Sequence, residues 1–117
     1  MKTINNNTEF EQIITGEKPV VLDFYADWCG PCQALLPVLE ATSNHYGEDV
    51  VIAKINVDNN PELASKFKVR SIPSVFFMKN GAVVDQFNGV QSSTEIRKRI
   101  DDLIAANSEK PATNPTA

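Results

Sequence analysis

The chain reads as an α/β domain: a central mixed β-sheet, parallel with a C-terminal antiparallel hairpin, flanked by helices on both faces. Three observations predict it. The runs 20–24 and 50–57 are almost wholly apolar, the pattern of strands covered on both faces in α/β proteins. Segments with helical spacing alternate with these runs, and strand-helix-strand units close as right-handed parallel crossovers. Between the apolar stretches 74–78 and 82–87 stands Asn80-Gly81, a favoured two-residue hairpin turn that brings antiparallel pairing.

Taken in order, Thr8-Glu9-Phe10-Glu11 has the form of a capping box, with Phe10, Ile13 and Ile14 at helical spacing and Gly16 as the stop. The strand 20–24 follows, interrupted only by Asp23. A second helix is expected from the cysteine motif to Tyr46, burying Leu35, Val38, Leu39 and Thr42 and ending at Gly47. Pro37 lies inside it and should kink it, because proline removes a backbone donor and crowds the preceding turn. After the strand 50–57, Asn60-Pro61-Glu62 opens a brief helix that ends before Val69, proline being suited to a first turn. Beyond the hairpin, Ser92-Ser93-Thr94-Glu95 is another capping box, and Ile96, Ile100, Leu103 and Ile104 form one apolar stripe for packing on the sheet. The order is strand, helix, strand, helix, strand, helix, hairpin, helix, with no residue range assigned to the leading strand. Residues 1–107 form the domain, and 108–117, mostly Pro, Thr, Asn and Ala, are expected to be a disordered tail.

A chain of 117 residues with 42% hydrophobic content is long enough to bury one core without staples or metals. The net charge of -4 and a pI near 4.9 argue against a nucleic-acid surface, since no basic cluster is available to neutralise phosphates. Arg97-Lys98-Arg99 is flanked by Glu95, Asp101 and Asp102 and reads as the wet face of a helix. No apolar segment follows Lys2, so the start is not a signal peptide, and no stretch approaches the length of a membrane span. The expectation is a soluble, cytoplasmic monomer with neither nucleic acid nor membrane as partner.

Both cysteines lie in Trp28-Cys29-Gly30-Pro31-Cys32, directly after the first strand. A bridge between them closes a ring worth only roughly 2 kcal/mol by loop entropy, and the cytoplasm is reducing, so reversible chemistry is the better use of the pair. With the helix starting at or just after Cys29, both sulfurs share one face within bridging distance. The helix N-terminus favours an anion by roughly 0.3–2 kcal/mol, or about 0.2–1.5 pKa units, which brings a thiol from about 8.5 toward neutrality. Cys29 would be the exposed attacking sulfur and Cys32, one turn deeper, the shielded one that resolves the mixed disulfide. Gly30 lets a partner's backbone approach, and Pro31 fits the first turn. A zinc site is the competing reading, but His45, far along the same helix, is the only other ligand of that kind and reads as a surface residue.

Asp23 in an apolar strand should face the interior, where burial raises its pKa, and is expected to take the proton of Cys32; the alternative is that it turns outward. Lys54 intrudes similarly into 51–55 and either pairs with Asp23 or is an exposed strand lysine. Ile72-Pro73 enters an otherwise central strand, which implies a cis bond or an edge position. A cis bond would leave the backbone of Ser71 and Ile72 free to pair with an extended substrate. Trp28 is a contact surface or a lid on the core.

Asp23, Trp28-Cys29-Gly30-Pro31-Cys32, Ile72-Pro73 and Gly89, in this order, resemble the thioredoxin family over roughly residues 3–106. The resemblance implies the thioredoxin fold and a general disulfide reductase, recharged by a flavoprotein thioredoxin reductase with NADPH and acting on disulfide-containing proteins. It implies no cofactor of the chain's own, and the absence of a GxGxxG run agrees that NADPH and FAD belong to the reductase. Carried over, Cys29 is the nucleophile, Cys32 the resolving thiol, Asp23 the buried acid/base, Lys54 its neighbour and Pro73 the cis-proline facing the motif. Trp28, Gly30, Pro31, Ile72, Gly89 and Val90 would bind substrate. Three positions depart from the common pattern: Gln33 in place of Lys or Arg, Asn88 in place of an apolar residue, and Ser71 where Gly is common.

Overall fold

Two-sided strands alternating with amphipathic helices produce the order β1 (Lys2–Ile4), α1 (Asn7–Ile14), β2 (Val20–Tyr25), α2 (Gly30–Tyr46), a 3-10 turn (Gly47–Asp49), β3 (Val51–Asn56), α3 (Pro61–Lys66), β4 (Ser74–Lys79), β5 (Ala82–Asn88) and α4 (Ser93–Glu109). The structure is a computed structural model that describes residues 1–109. The leading strand is therefore Lys2–Ile4, too short to show a period, with only Ile4 buried. The sheet runs β1-β3-β2-β4-β5, with β1 and β2 parallel to β3, and β4 antiparallel to both β2 and β5.

Every residue of β2 is buried because helices cover both faces of the sheet. Val21, Ile52, Val75, Phe77 and Phe87 pack with Leu35 and Leu39 of α2 and with Ile96, Ile100 and Leu103 of α4. Side chains of opposite parity, including Leu22, Phe24, Ile55, Phe76 and Met78, pack with Phe10 of α1 and Leu63 of α3. Asp23 shares the parity of Val21 and so lies on the α2 and α4 side. A smaller apolar cluster of Tyr25, Ala26, Cys29 and Cys32 closes the carboxyl end of β2.

Local signals set most element ends, with some corrections. α1 is capped two residues earlier than Thr8: Asn6 Oδ1 accepts from the Glu9 N–H at 2.9 Å, and Glu9 Oε1 accepts from the Asn5 N–H at 2.7 Å. Asn caps a helix as well as Thr does, so the asparagine run takes the position. Pro37 stands exposed inside α2, which continues as one helix to Tyr46, and Val38 is half-buried where burial was expected. Ser92 caps α4 as expected, its Oγ accepting from the Glu95 N–H at 3.0 Å. Of Arg97-Lys98-Arg99 only Lys98 is a fully wet residue; Arg99 is a cross-link, donating to Glu95, to Asp85 and to the Gln86 carbonyl of β5. α4 carries through Ser108 and Glu109, the first two residues of the expected tail, and the rest of that tail, 110–117, lies outside the described residues. Among the described residues no helix is long and apolar enough to cross a membrane.

Candidate active site

The chain leaves β2 at Tyr25 and enters α2 at Gly30, which delivers the cysteine motif to the carboxyl end of the central strand. Cys29 is the N-cap of α2, with φ -92 and ψ 112, and its Sγ accepts a hydrogen bond from the Cys32 N–H at 3.2 Å. Pro31 occupies the first turn, where its missing donor would be unpaired in any case. The two sulfurs are joined as a disulfide across a Cα–Cα separation of 5.2 Å, within the usual bridging range. They sit one turn apart on one helix face. Cys29 is 5% exposed and Cys32 not at all. The order matches the expectation, but the outer sulfur is more sheltered than expected because it packs among Tyr25, Ala26 and the half-buried Ile72.

Across from the motif, the Ile72-Pro73 bond is cis. The Ile72 carbonyl oxygen lies 3.8 Å from Cys29 Sγ. The Pro73 carbonyl accepts from the Gly89 N–H at 2.9 Å, which joins the chain beyond β5 to the segment before β4. Gly89 has φ +83, a conformation that a Cβ would strain. Gly30 and Pro31 are exposed, and Val90 is 50% exposed. Trp28 is 72% exposed, hence no lid on the core, and its indole N–H donates to Asp58 Oδ2 at 2.8 Å. Asp58 went unnoticed in the sequence; the only signal is its place in the Asn/Asp-rich turn after β3, where Asn56 Oδ1 accepts from the Asp58 N–H at 2.9 Å.

Asp23 is fully buried, and neither carboxylate oxygen has a hydrogen-bond partner within the protein. Burial pushes its pKa up to about 7, partly offset by the nearby Lys54 cation. Lys54 is the register partner of Asp23 on β3, yet the two make no ion pair; its ammonium sits 5.5 Å above the Tyr25 ring. It is half-buried, between the two expected alternatives. Gln33 reaches back to the Asp27 carbonyl at 3.4 Å. His45 is exposed near the far end of α2, and no group of three or more His, Cys, Asp or Glu among the described residues is placed to hold a metal ion.

A helix-capping cysteine bridged to a second cysteine one turn on, facing a cis-proline, is a centre for thiol-disulfide exchange. The family model described as thioredoxin matches residues 1–102. The chain belongs to the thioredoxin family. It is 41% identical over 98 residues to a thioredoxin of Alicyclobacillus acidocaldarius, covering 84% of this chain and 93% of that protein. It is 44% identical over 93 residues to a thioredoxin of Chlorobaculum thiosulfatiphilum, covering 80% and 86%. Among solved structures, the thioredoxin of Malassezia sympodialis superposes with a TM-score of 0.82 at 32% identity, covering 89% of this chain and 90% of that one. That of Fasciola hepatica gives 0.80 at 35% identity, covering 87% and 98%. The mixed five-stranded sheet with helices on both faces is the thioredoxin fold, and the chain is a protein-disulfide oxidoreductase of the thioredoxin family that reduces disulfides through Cys29 and Cys32.

Proposed function

We propose that each residue of the site acts in one two-electron exchange. Cys29, as thiolate, attacks one sulfur of a substrate disulfide; a Cys29–substrate bond forms, and the departing substrate thiolate takes a proton. Cys32 then loses its proton and attacks Cys29 Sγ, forming the Cys29–Cys32 bond and releasing the second substrate thiol. Two electrons pass to the substrate and its two sulfurs leave protonated. The observation that carries this assignment is the N-cap position of Cys29: its Sγ receives the Cys32 N–H at the positive end of a 17-residue helix, where a thiolate is favoured.

Asp23 receives the proton of Cys32, supported by its complete burial and a pKa near the working pH, with Lys54 tuning it through charge. Trp28, Gly30, Pro31, Ile72, Pro73, Gly89 and Val90 receive the substrate segment, and the closeness of the Ile72 carbonyl to the redox sulfur supports a backbone pairing site there. The partners are thioredoxin reductase, which restores the dithiol with NADPH, and disulfide-bearing proteins. The chain needs no cofactor of its own. The same reading makes it a monomeric electron carrier of the cytoplasm that maintains redox homeostasis, has neither nucleic acid nor membrane as partner, and folds as one domain. The test is insulin reduction with NADPH and a thioredoxin reductase: NADPH consumption that requires this protein supports the reading, and none above background removes it.

A further inference from the structure

We infer that Asn88 determines substrate preference, favouring disulfides whose cysteines are flanked by residues with hydrogen-bonding side chains over those flanked by apolar ones. The inference rests on the reductase reading. Asn88 is the last residue of β5 and the register partner of Ser74, the residue after the cis-proline. The next residue, Gly89, donates its N–H to the Pro73 carbonyl, so Asn88 stands beside the segment that faces Cys29.

Ser74 is 2% exposed and its Oγ lies 2.6 Å from the Ser71 carbonyl and 2.8 Å from the Asn88 amide. A hydroxyl carries one hydrogen, and the Ser71 carbonyl can only accept. That hydrogen is shared between two acceptors, the Ser71 carbonyl and Asn88 Oδ1, so the oxygen side of the amide faces Ser74 and its NH2 is left at the surface, where the residue is exposed. The Ser74 hydroxyl thus bridges Asn88 Oδ1 and the Ser71 carbonyl, which holds this amide against Ser74 and couples it to the backbone next to Ile72.

A fixed, exposed amide beside the substrate path discriminates by desolvation. An apolar side chain laid on it strips its water and returns no hydrogen bond, whereas a Ser, Asn or Gln side chain replaces that water. One net hydrogen bond corresponds to about 2–12-fold in affinity.

The experiment uses two peptides, each closed by one internal disulfide and identical except that the residues flanking both cysteines are Ser in one and Leu in the other. Dithiothreitol recharges the enzyme, so no reductase contact enters. The wild-type chain should reduce the Ser peptide with a kcat/KM about 2–12-fold above the Leu peptide, mostly through KM. Asn88→Val should erase or invert that ratio, and Ser74→Ala, which keeps the amide but removes its anchor, should narrow it. Asn88→Gln, which restores a carboxamide, should return part of it. The Gln and Ala variants give the answer even if the Val variant fails to fold. A wild-type ratio near one, or a preference that survives Asn88→Val, overturns the inference while leaving the reductase reading intact. Failure of the wild type to reduce either peptide would instead remove the reductase reading itself.

Discussion

A carboxyl group with no hydrogen-bond partner, sealed between a sheet and a helix, makes ionisation unfavourable, and Asp23 shows the consequence in its pKa of about 7. The folded-state value is raised above that of the unfolded chain, so the folded form binds the extra proton. Below about pH 4 both states are protonated and nothing is lost. As pH rises from about 4 to about 7 the unfolded chain ionises first and stability falls, levelling above that window at a loss on the order of 4 kcal/mol. Asp23→Asn should remove this slope, leaving a variant whose stability relative to the parent grows across the same window. Urea unfolding at several pH values decides it; parallel curves for the two proteins would show that another group is responsible. The two sulfurs invite a second experiment. Cys32→Ser should leave Cys29 joined to captured substrates as mixed disulfides visible on non-reducing gels, whereas Cys29→Ser should capture none; persistence of partners on Cys29→Ser would reverse the assigned roles.

Elements are held at their ends by single residues and along their faces by many. Helix α4 starts where Ser92 satisfies the Glu95 N–H, lays Ile96, Ile100 and Leu103 against the sheet, and is tied to β5 through Arg99. Ser92→Ala should cost about 1 kcal/mol, measured by denaturant unfolding, with insulin reduction unchanged because the cap is no part of the exchange chemistry. At this scale much was legible: the hairpin at Asn80-Gly81, the proline-started α3 and the cap of α4 are each written within a stretch of about four neighbouring residues. The cap of α1 was misplaced because two signals overlap, and Asn6 and Thr8 satisfy the same rule equally well. Pro37 shows a different limit: the spacing places it inside α2, and only the packing shows that it stands on the exposed face of a helix that runs on to Tyr46.

Across the whole molecule, two cores on opposite faces of one sheet hold the fold, and the disulfide adds only a small constraint at the end of it. Reduction should therefore leave the protein folded while lowering its unfolding free energy by about 2 kcal/mol. For a domain of this size that is a fall in Tm of roughly 10 °C. Calorimetry of the oxidised and dithiol forms tests it; unfolding upon reduction would mean that the bridge is a structural staple after all.

The sequence alone determined the alternation of elements, the hairpin, the spacing of the redox pair and the family, because apolar period, turn chemistry and a short motif are each encoded within a few neighbouring residues. Only the tertiary structure decided that Trp28 is held by Asp58, thirty positions away, that Lys54 lies over Tyr25 instead of pairing with Asp23, and that Ser74 links Ser71 to Asn88. Such contacts depend on strand register and on the direction in which each side chain leaves its element, and both are set by packing between segments far apart in the chain.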